Sequence, residues 1–204
     1  VTSQPFHHGN LRAVLLERAE AVVRERGADA LSLRELAREA GVSHGAPRSH
    51  FIDRQALLDA LAVQGFDRLT ERLRAAREAG RSFEDRFHRL ARAYVGFAVD
   101  DAALMELMFS MKTTGSTPAV ADAAGRMFDV LGDALAKGST TPPHPVDGER
   151  FGLVFAAAVQ GAAALVTTGR VSREQGERIV DDAASMLLRS ELGARVLGGR
   201  SDAR

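Results

Sequence analysis

The chain has 204 residues, 45% of them hydrophobic, with 27 basic side chains against 27 acidic ones and no cysteine. That apolar share can bury a substantial core, so disorder is excluded as the default state, and the absence of cysteine excludes disulfides, thiolate metal sites and a cysteine nucleophile. Zero net charge removes the global basic signature of a nucleic-acid partner, so any DNA-binding face must be local.

Strand signals are almost absent and helical periodicity closed by caps fills the chain, which predicts an all-α protein of about nine helices. The first ten residues carry no apolar run of signal-peptide length, so a cytoplasmic chain is expected. Asn10 can cap a first helix in which Leu11, Val14, Leu15, Ala19 and Val22 repeat at helical steps up to about Gly27. In "LSLRELAREAGVS", Ser32 and Glu35 have capping-box spacing, Leu33, Leu36 and Ala37 form an inner face, and Gly41 takes the turn. Ser43 can cap the next short helix, Phe51 closes it against the core, and Asp53 can cap a longer helix from Arg54 to about Ala79, ended by Gly80.

The second half begins at Arg81–Ser82, where Ser82 and Asp85 again have capping-box spacing and Phe83, Phe87, Leu90, Tyr94 and Phe97 form one helical stripe. A Met-rich helix "ALMELMFSMK", a loop "TTGSTP" and a helix through Met127, Phe128 and Leu131 follow. "GSTTPPHPVDG" is the clearest linker. Two helices close the chain. The first, about 148–168, contains the uncharged run Phe151 to Gly169, which reaches only the minimum membrane-spanning length and is diluted by Ala, Gly and polar residues; a helix covered on several sides by protein is expected, and no membrane. The second, about 172–192, opens on Ser172 and Gln175 with Ile179, Val180, Ala183, Ala184, Leu187 and Leu188 facing inward, and a frayed tail is expected over 197–204.

Residues 32–51 have the order a helix-turn-helix needs: an inward-packed helix, a tight turn, and a polar second helix placed to enter a major groove. The plain alternative on these residues is a helical hairpin that binds nothing. The stretch "FHHGNLRAVLLERAEAVVRERGADALSLRELAREAGVSHGAPRSHFIDRQALLDAL" resembles the N-terminal domain of the tetracycline-repressor (TetR) family of transcriptional regulators. "ARAYVGFAVDDAALMELMF" and "FAAAVQGAAALVTTGRV" are similar to one ligand-binding C-terminal class of that family, which typically carries Trp and His-Gly in its last segment; here Gln160 precedes Gly161. The family's pre-helix segment also accounts for His7 and His8.

The resemblance implies a helix-turn-helix domain over 6–53 and an effector-binding and dimerisation domain over 54–196, with 54–79 as the connecting helix. The groove candidates are Ser43, His44, Gly45, Ala46, Arg48 and Ser49, and the phosphate candidates are Ser32, Arg34, His50 and Arg54, the last at a helix start where free N–H groups also favour phosphate. Ser32 also reads as a cap, Arg34 and Arg54 as solvated surface, and His50 as a packing histidine. Pro47 falls in the first turn, where its missing N–H breaks no helical bond. Arg48 stands at a position that resembles a usual backbone-contacting Tyr; an arginine there can hold a phosphate or bind guanine bidentately.

The similarity further implies a largely apolar small-molecule effector, with Phe87, His88, Tyr94, Met105, Met108, Phe109, Phe128, Phe155 and Gln160 as candidate lining; for most of the apolar members plain core packing is the competing reading. The expected protein is a bacterial, homodimeric, ligand-responsive repressor on a double-stranded operator, nucleoid-associated when bound and paired through its last two helices, though an activator has the same parts. The rival from another class is a helical small-molecule-binding or scaffold protein whose helix-turn-helix no longer reads DNA. His44 and His50, six apart, do not form an i, i+4 metal pair, and no phosphate loop, Gly-x-Ser-x-Gly elbow or His-Glu-x-x-His run is present, so no metal, cofactor or enzymatic activity is expected.

Overall fold

The computed structural model describes residues 11–113, 117–136 and 144–197. The Asn10 cap, His7 and His8, the centre of the "TTGSTP" loop, most of the proline-rich connection and the tail from 198 lie outside the described residues. Among those described there are nine α-helices, two 3₁₀ turns and no strand. The helices are α1 (Leu11–Arg26), α2 (Leu33–Glu39), α3 (Arg54–Glu78), α4 (Phe83–Asp100), α5 (Ala102–Thr113), α6 (Pro118–Ala136), α7 (Pro145–Thr167), α8 (Arg173–Arg189) and α9 (Glu191–Val196), with 3₁₀ turns at Ala28–Ala30 and Ala46–Ser49.

The chain divides into two compact units, and the division falls inside α3. The first takes the described residues up to Gly65 together with Ala103–Asp122; the second takes Phe66–Ala102 and the described residues from Ala123 onward.

In the first unit, α1 packs on α2 and on the Ala46–Ser49 turn. Leu15, Leu16, Ala19, Leu36, Ala37, Phe51, Leu57 and Leu61 fill its core. The Ser32 hydroxyl accepts the Glu35 N–H at a long 3.5 Å. Asp53 caps α3 by accepting the Ala56 N–H at 2.8 Å. α2 ends in a Schellman motif: the Gly41 N–H reaches the Arg38 carbonyl at 3.2 Å and the Val42 N–H the Ala37 carbonyl at 3.0 Å. That closure needs Gly41 at φ 67°, where a side chain costs about 1–2 kcal/mol. The α3–α5 contact is tight at Gly65, where a Cβ would come within 2.8 Å of the Met108 Cγ.

In the second unit α4, α7 and α8 pack against one another, with α9 on α7 and α8. Phe87 is fully buried among Phe83, Phe151 and Phe155, its ring centroid 5.5 Å from that of Phe151 and 5.4 Å from that of Phe155, both edge-on. Ser82 accepts the Asp85 N–H at 3.1 Å, but the Asp85 carboxylate turns to the Arg81 N–H at 2.9 Å, one residue before the reciprocal partner of a capping box. That bond, followed by the one from Arg89, holds the Asp85 carboxyl below its usual range. The full reciprocal box does form at Ser172 and Gln175. Asp100 ties α4 to α3 and α8, accepting from Arg72 and Arg173 at 2.9 Å each.

Three expectations change here. α7 starts at Pro145 instead of about 148, because proline at the first helical position has no N–H to leave unsatisfied. α7 is long and apolar enough to cross a membrane by length and composition, with mean hydropathy 1.5, yet only 28% of that window is buried within the chain; α4, α8 and α9 pack on it, but it is less covered than expected. Finally, α8 buries Gly176, Val180, Ala184 and Leu188, a four-residue step that leaves Ile179 exposed beside Met186, which is 74% exposed.

Candidate nucleic-acid interface and effector cavity

The segment expected to read DNA is a single 3₁₀ turn, Ala46–Ser49, and Ser43 does not cap it. The Ala46 N–H that a Ser43 side chain would satisfy bonds instead to the Ser43 carbonyl at 3.0 Å, so a tight backbone turn displaces the hydroxyl. Two apolar anchors hold the turn in place. Pro47 is buried, and Phe51 is buried under the Arg12 guanidinium, which lies 5.2 Å from its ring centroid.

Between and around those anchors, Ser43, His44, Gly45, Arg48, Ser49 and His50 are exposed and Ala46 is half-buried. Arg48, and Arg34 on α2, are exposed cations with no ion pair among the described residues, whereas the nearby Arg26 and Arg38 both meet Glu35. Ser49 donates its hydroxyl proton to the Ala46 carbonyl at 2.7 Å, which leaves its oxygen as an acceptor. Ser32 is occupied as a cap.

Arg54 differs most from its sequence reading. Its Nε donates to the Leu31 carbonyl at 3.1 Å and its Nη2 to the Ala28 carbonyl at 2.6 Å, with Asp29 3.6 Å away. These carbonyls belong to the chain just before α2, so the guanidinium braces the helix-turn-helix against the start of α3. No periodicity could have revealed this, because the acceptors are backbone atoms 23 and 26 residues away.

The candidate effector residues separate into four groups. Tyr94, Phe128, Phe155 and Gln160 line one small cavity in the second unit, with Leu73, Leu90, Met127, Val130, Leu131, Ala156 and Val159. Its volume is about 40 Å³, and none of its lining side chains is charged. Phe87 lies in the core against Phe155 and is absent from that lining. Met105, Met108 and Phe109 belong to α5 in the first unit, where Met108 fills the space against Gly65.

His88 faces elsewhere, into a charged groove of about 660 Å³ lined also by Ser82, Glu84, Asp85, Arg89, Arg92 and Asp181. Its Nδ1 lies 3.1 Å from Asp181 and its Nε2 3.3 Å from the Ser185 hydroxyl. Arg92 grips the same Asp181 carboxylate with two nitrogens, the main reason its own pKa is raised. The Ser–His–Asp order of contacts joins α4 to α8, and Ser185 stands inside a helix whose backbone N–H groups are spent on helical bonds, so no oxyanion donors converge beside it.

Within the apolar cavity the Tyr94 hydroxyl is the outlying feature. Tyr94 is 6% exposed, and its oxygen is buried with no hydrogen-bond partner among the described residues. Burial pushes the phenol well above its ordinary range, and the nearby Gln160 amide offsets part of that rise. The amide nevertheless falls outside hydrogen-bonding geometry, and a misaligned contact contributes little.

An all-α chain with one compact unit built on a helix-turn-helix and a second enclosing an apolar cavity defines a class, that of helical transcriptional regulators. Comparison with known proteins agrees. Residues 15–61 match the family model of bacterial regulatory proteins of the tetR family, and residues 87–190 match that of the tetracyclin repressor-like C-terminal domain. The chain belongs to the tetR family and is a DNA-binding transcriptional regulator.

A solved protein of unknown function from Rhodococcus sp. RHA1 is 44% identical, with 92% of this chain and 98% of that one covered and a TM-score of 0.79. A bacterial regulatory protein of the tetR family from Rhodococcus RHA1 (23% identity, 88% and 97% covered, TM-score 0.67) shares the fold. So does SCO4454, a TetR-family transcriptional regulator from Streptomyces coelicolor (19% identity, 88% and 95% covered, TM-score 0.69). No curated protein matches the chain. Regulators of this family bind DNA operators and small-molecule effectors, dimerise, and are generally not enzymes.

Proposed function

We propose that this regulator is a homodimeric repressor that reads a palindrome-like operator through the Ala46–Ser49 turn and is released by an apolar small molecule bound in the second unit. The observation that carries the DNA reading is the pair of exposed, unpaired guanidiniums, Arg34 and Arg48, on a face otherwise made of small and polar side chains and held by buried Pro47 and Phe51. Arg48 takes the base-reading role and Arg34 a phosphate, with Ser43, His44 and His50 as further contacts and Gly45 and Ala46 allowing close approach. With the Arg54 guanidinium held against the Leu31 and Ala28 carbonyls, its phosphate role passes to the free N–H groups at the start of α3.

The dimer reading is supported by exposed apolar side chains on α7 and α8. Val154, Ala157, Gly161 and Ala164 recur at three- and four-residue steps on α7, as do Ile179 and Met186 across two turns of α8, so each helix carries one uncovered apolar stripe. Pairing these stripes about a two-fold makes a four-helix bundle, and two readers about 34–36 Å apart then match one turn of DNA. Its site of action is the bacterial nucleoid. Release follows from differential binding: a ligand that favours the wider-spaced dimer lowers operator affinity by the same coupling with which DNA lowers ligand affinity. No enzymatic step enters this cycle.

The test is fluorescence anisotropy of the full chain on its own upstream DNA against scrambled DNA of equal length, at two salt concentrations. Competitor-resistant binding that weakens steeply with salt is expected, because phosphate contacts release counterions. Equal affinity for both DNAs, or a flat salt response, would overturn the reading.

A further inference from the structure

The Tyr94 hydroxyl is a buried donor aimed into an apolar cavity with nothing to bond, and an unmet buried polar group is costly. The geometry points to a neutral, mostly apolar effector that carries a hydrogen-bond acceptor, a ketone, ester or amide carbonyl, placed to receive the Tyr94 O–H with Gln160 beside it. The inference rests on the effector reading above and sharpens its ligand class.

Four features carry it. First, no charged side chain lines the cavity around Tyr94, so a charged ligand group would find no counter-ion beside the hydroxyl. Second, the phenol stays protonated at physiological pH, since burial raises its pKa, and a phenol is a stronger donor than acceptor. Third, the cavity as it stands holds about 40 Å³, little more than the roughly 30 Å³ share of one water.

The fourth feature supplies the missing room. An adjoining groove of about 370 Å³ shares Phe128 and Leu131 with the cavity and adds Leu135, Gly152 and Leu153, with Glu149 as its one charged side chain. Rotation of those two shared side chains joins the spaces and brings them into the range of about 300–1,000 Å³ usual for small-molecule sites. The ligand's apolar body then lies between α6 and α7 while its acceptor reaches Tyr94.

The experiment uses an unusual property of the chain: Tyr94 is its only tyrosine and it has no tryptophan, so intrinsic fluorescence reports this residue alone. The full-length protein is titrated with methyl hexyl ketone, with its branched-alkane isostere, and with octanoate, by fluorescence and by calorimetry. Calorimetry and thermal melting are repeated on Tyr94→Phe. The ketone should bind about tenfold more tightly than the alkane and change the tyrosine emission, octanoate should not displace it, and Tyr94→Phe should erase the ketone preference without lowering the melting temperature.

Equal binding of ketone and alkane, a ketone preference that survives in Tyr94→Phe, displacement by octanoate, or no saturable binding of any probe each overturns the inference. Operator anisotropy on the same samples separates this from the effector reading. Release of DNA by ketone and alkane alike leaves that reading standing and removes only the acceptor, whereas saturable ketone binding without release overturns the effector reading and keeps the ligand class.

Discussion

The two units solve opposite problems with similar helices. The first holds an outward surface in one conformation: buried Pro47 and Phe51 flank exposed His44, Arg48 and His50, and Arg54 braces the turn through backbone carbonyls. The second encloses space, with rings and aliphatic chains around a cavity that contains one unsatisfied hydroxyl. In the first, solvated side chains contribute little to stability and are free to contribute to binding. In the second, the side chains that would meet a ligand also belong to the core, so function and stability are coupled there.

The largest expected effect tests that coupling. Phe87→Ala should cost about 3–5 kcal/mol of folding stability, because the Phe83, Phe151 and Phe155 rings cannot collapse fully into the space it leaves. Chemical denaturation would measure it, and a loss below about 1 kcal/mol would mean that the aromatic cluster is not the centre of the second unit.

Arg48→Ala should behave in the opposite way. Stability should change by no more than about 0.5 kcal/mol, while specific operator affinity falls by about 1–3 kcal/mol and base preference relaxes at the contacted position. Competition with single-base operator variants would show this. An unchanged preference at every position would reassign Arg48 to the phosphate backbone.

The smallest effect lies in the charged ties of the second unit. Burial pulls the Asp100 carboxyl upward, but hydrogen bonds from Arg72 and Arg173 outweigh it and hold its pKa below the usual range. A carboxyl depressed in the folded state stabilises above its unfolded value of about 3.9, and that contribution is lost as pH falls through the lower folded value. Asp100→Asn should therefore cost under about 1 kcal/mol at neutral pH, since the side chain is 40% exposed and the pairs are screened. The difference from wild type should disappear in acid and shrink in high salt. A constant difference across urea titrations at several pH values would locate the effect in packing instead of charge.

Much of this architecture was legible in the residues because it is local. The caps at Ser32, Asp53, Ser82 and Ser172 lie three residues from the N–H groups they accept, and Gly41 sits where a left-handed residue was needed. The exposed segment proposed to read DNA was legible for the same reason, since its turn and its polar run are consecutive. Even there, local competition misled: Ser43 reads as a cap, but its own carbonyl takes the N–H first. The candidate effector residues were legible only as a mixed set. An aromatic or Met at helical spacing faces some apolar neighbour, but spacing does not say whether that neighbour is core, cavity or another helix.

The sequence by itself determined most of the helices, the caps that open several of them and the polar character of the turn between α2 and α3, because helix capping and periodicity act over three to four residues. Tertiary structure alone decided that Arg54 grips the chain before α2, that His88 turns away from the cavity toward Asp181, 93 residues on, and that Tyr94 is left without a partner. It also decided that Ile179 faces outward while Val180 is buried. Each of these depends on which distant element supplies the neighbouring atoms, and hydrogen bonding and burial are set by those atoms whatever their separation along the chain.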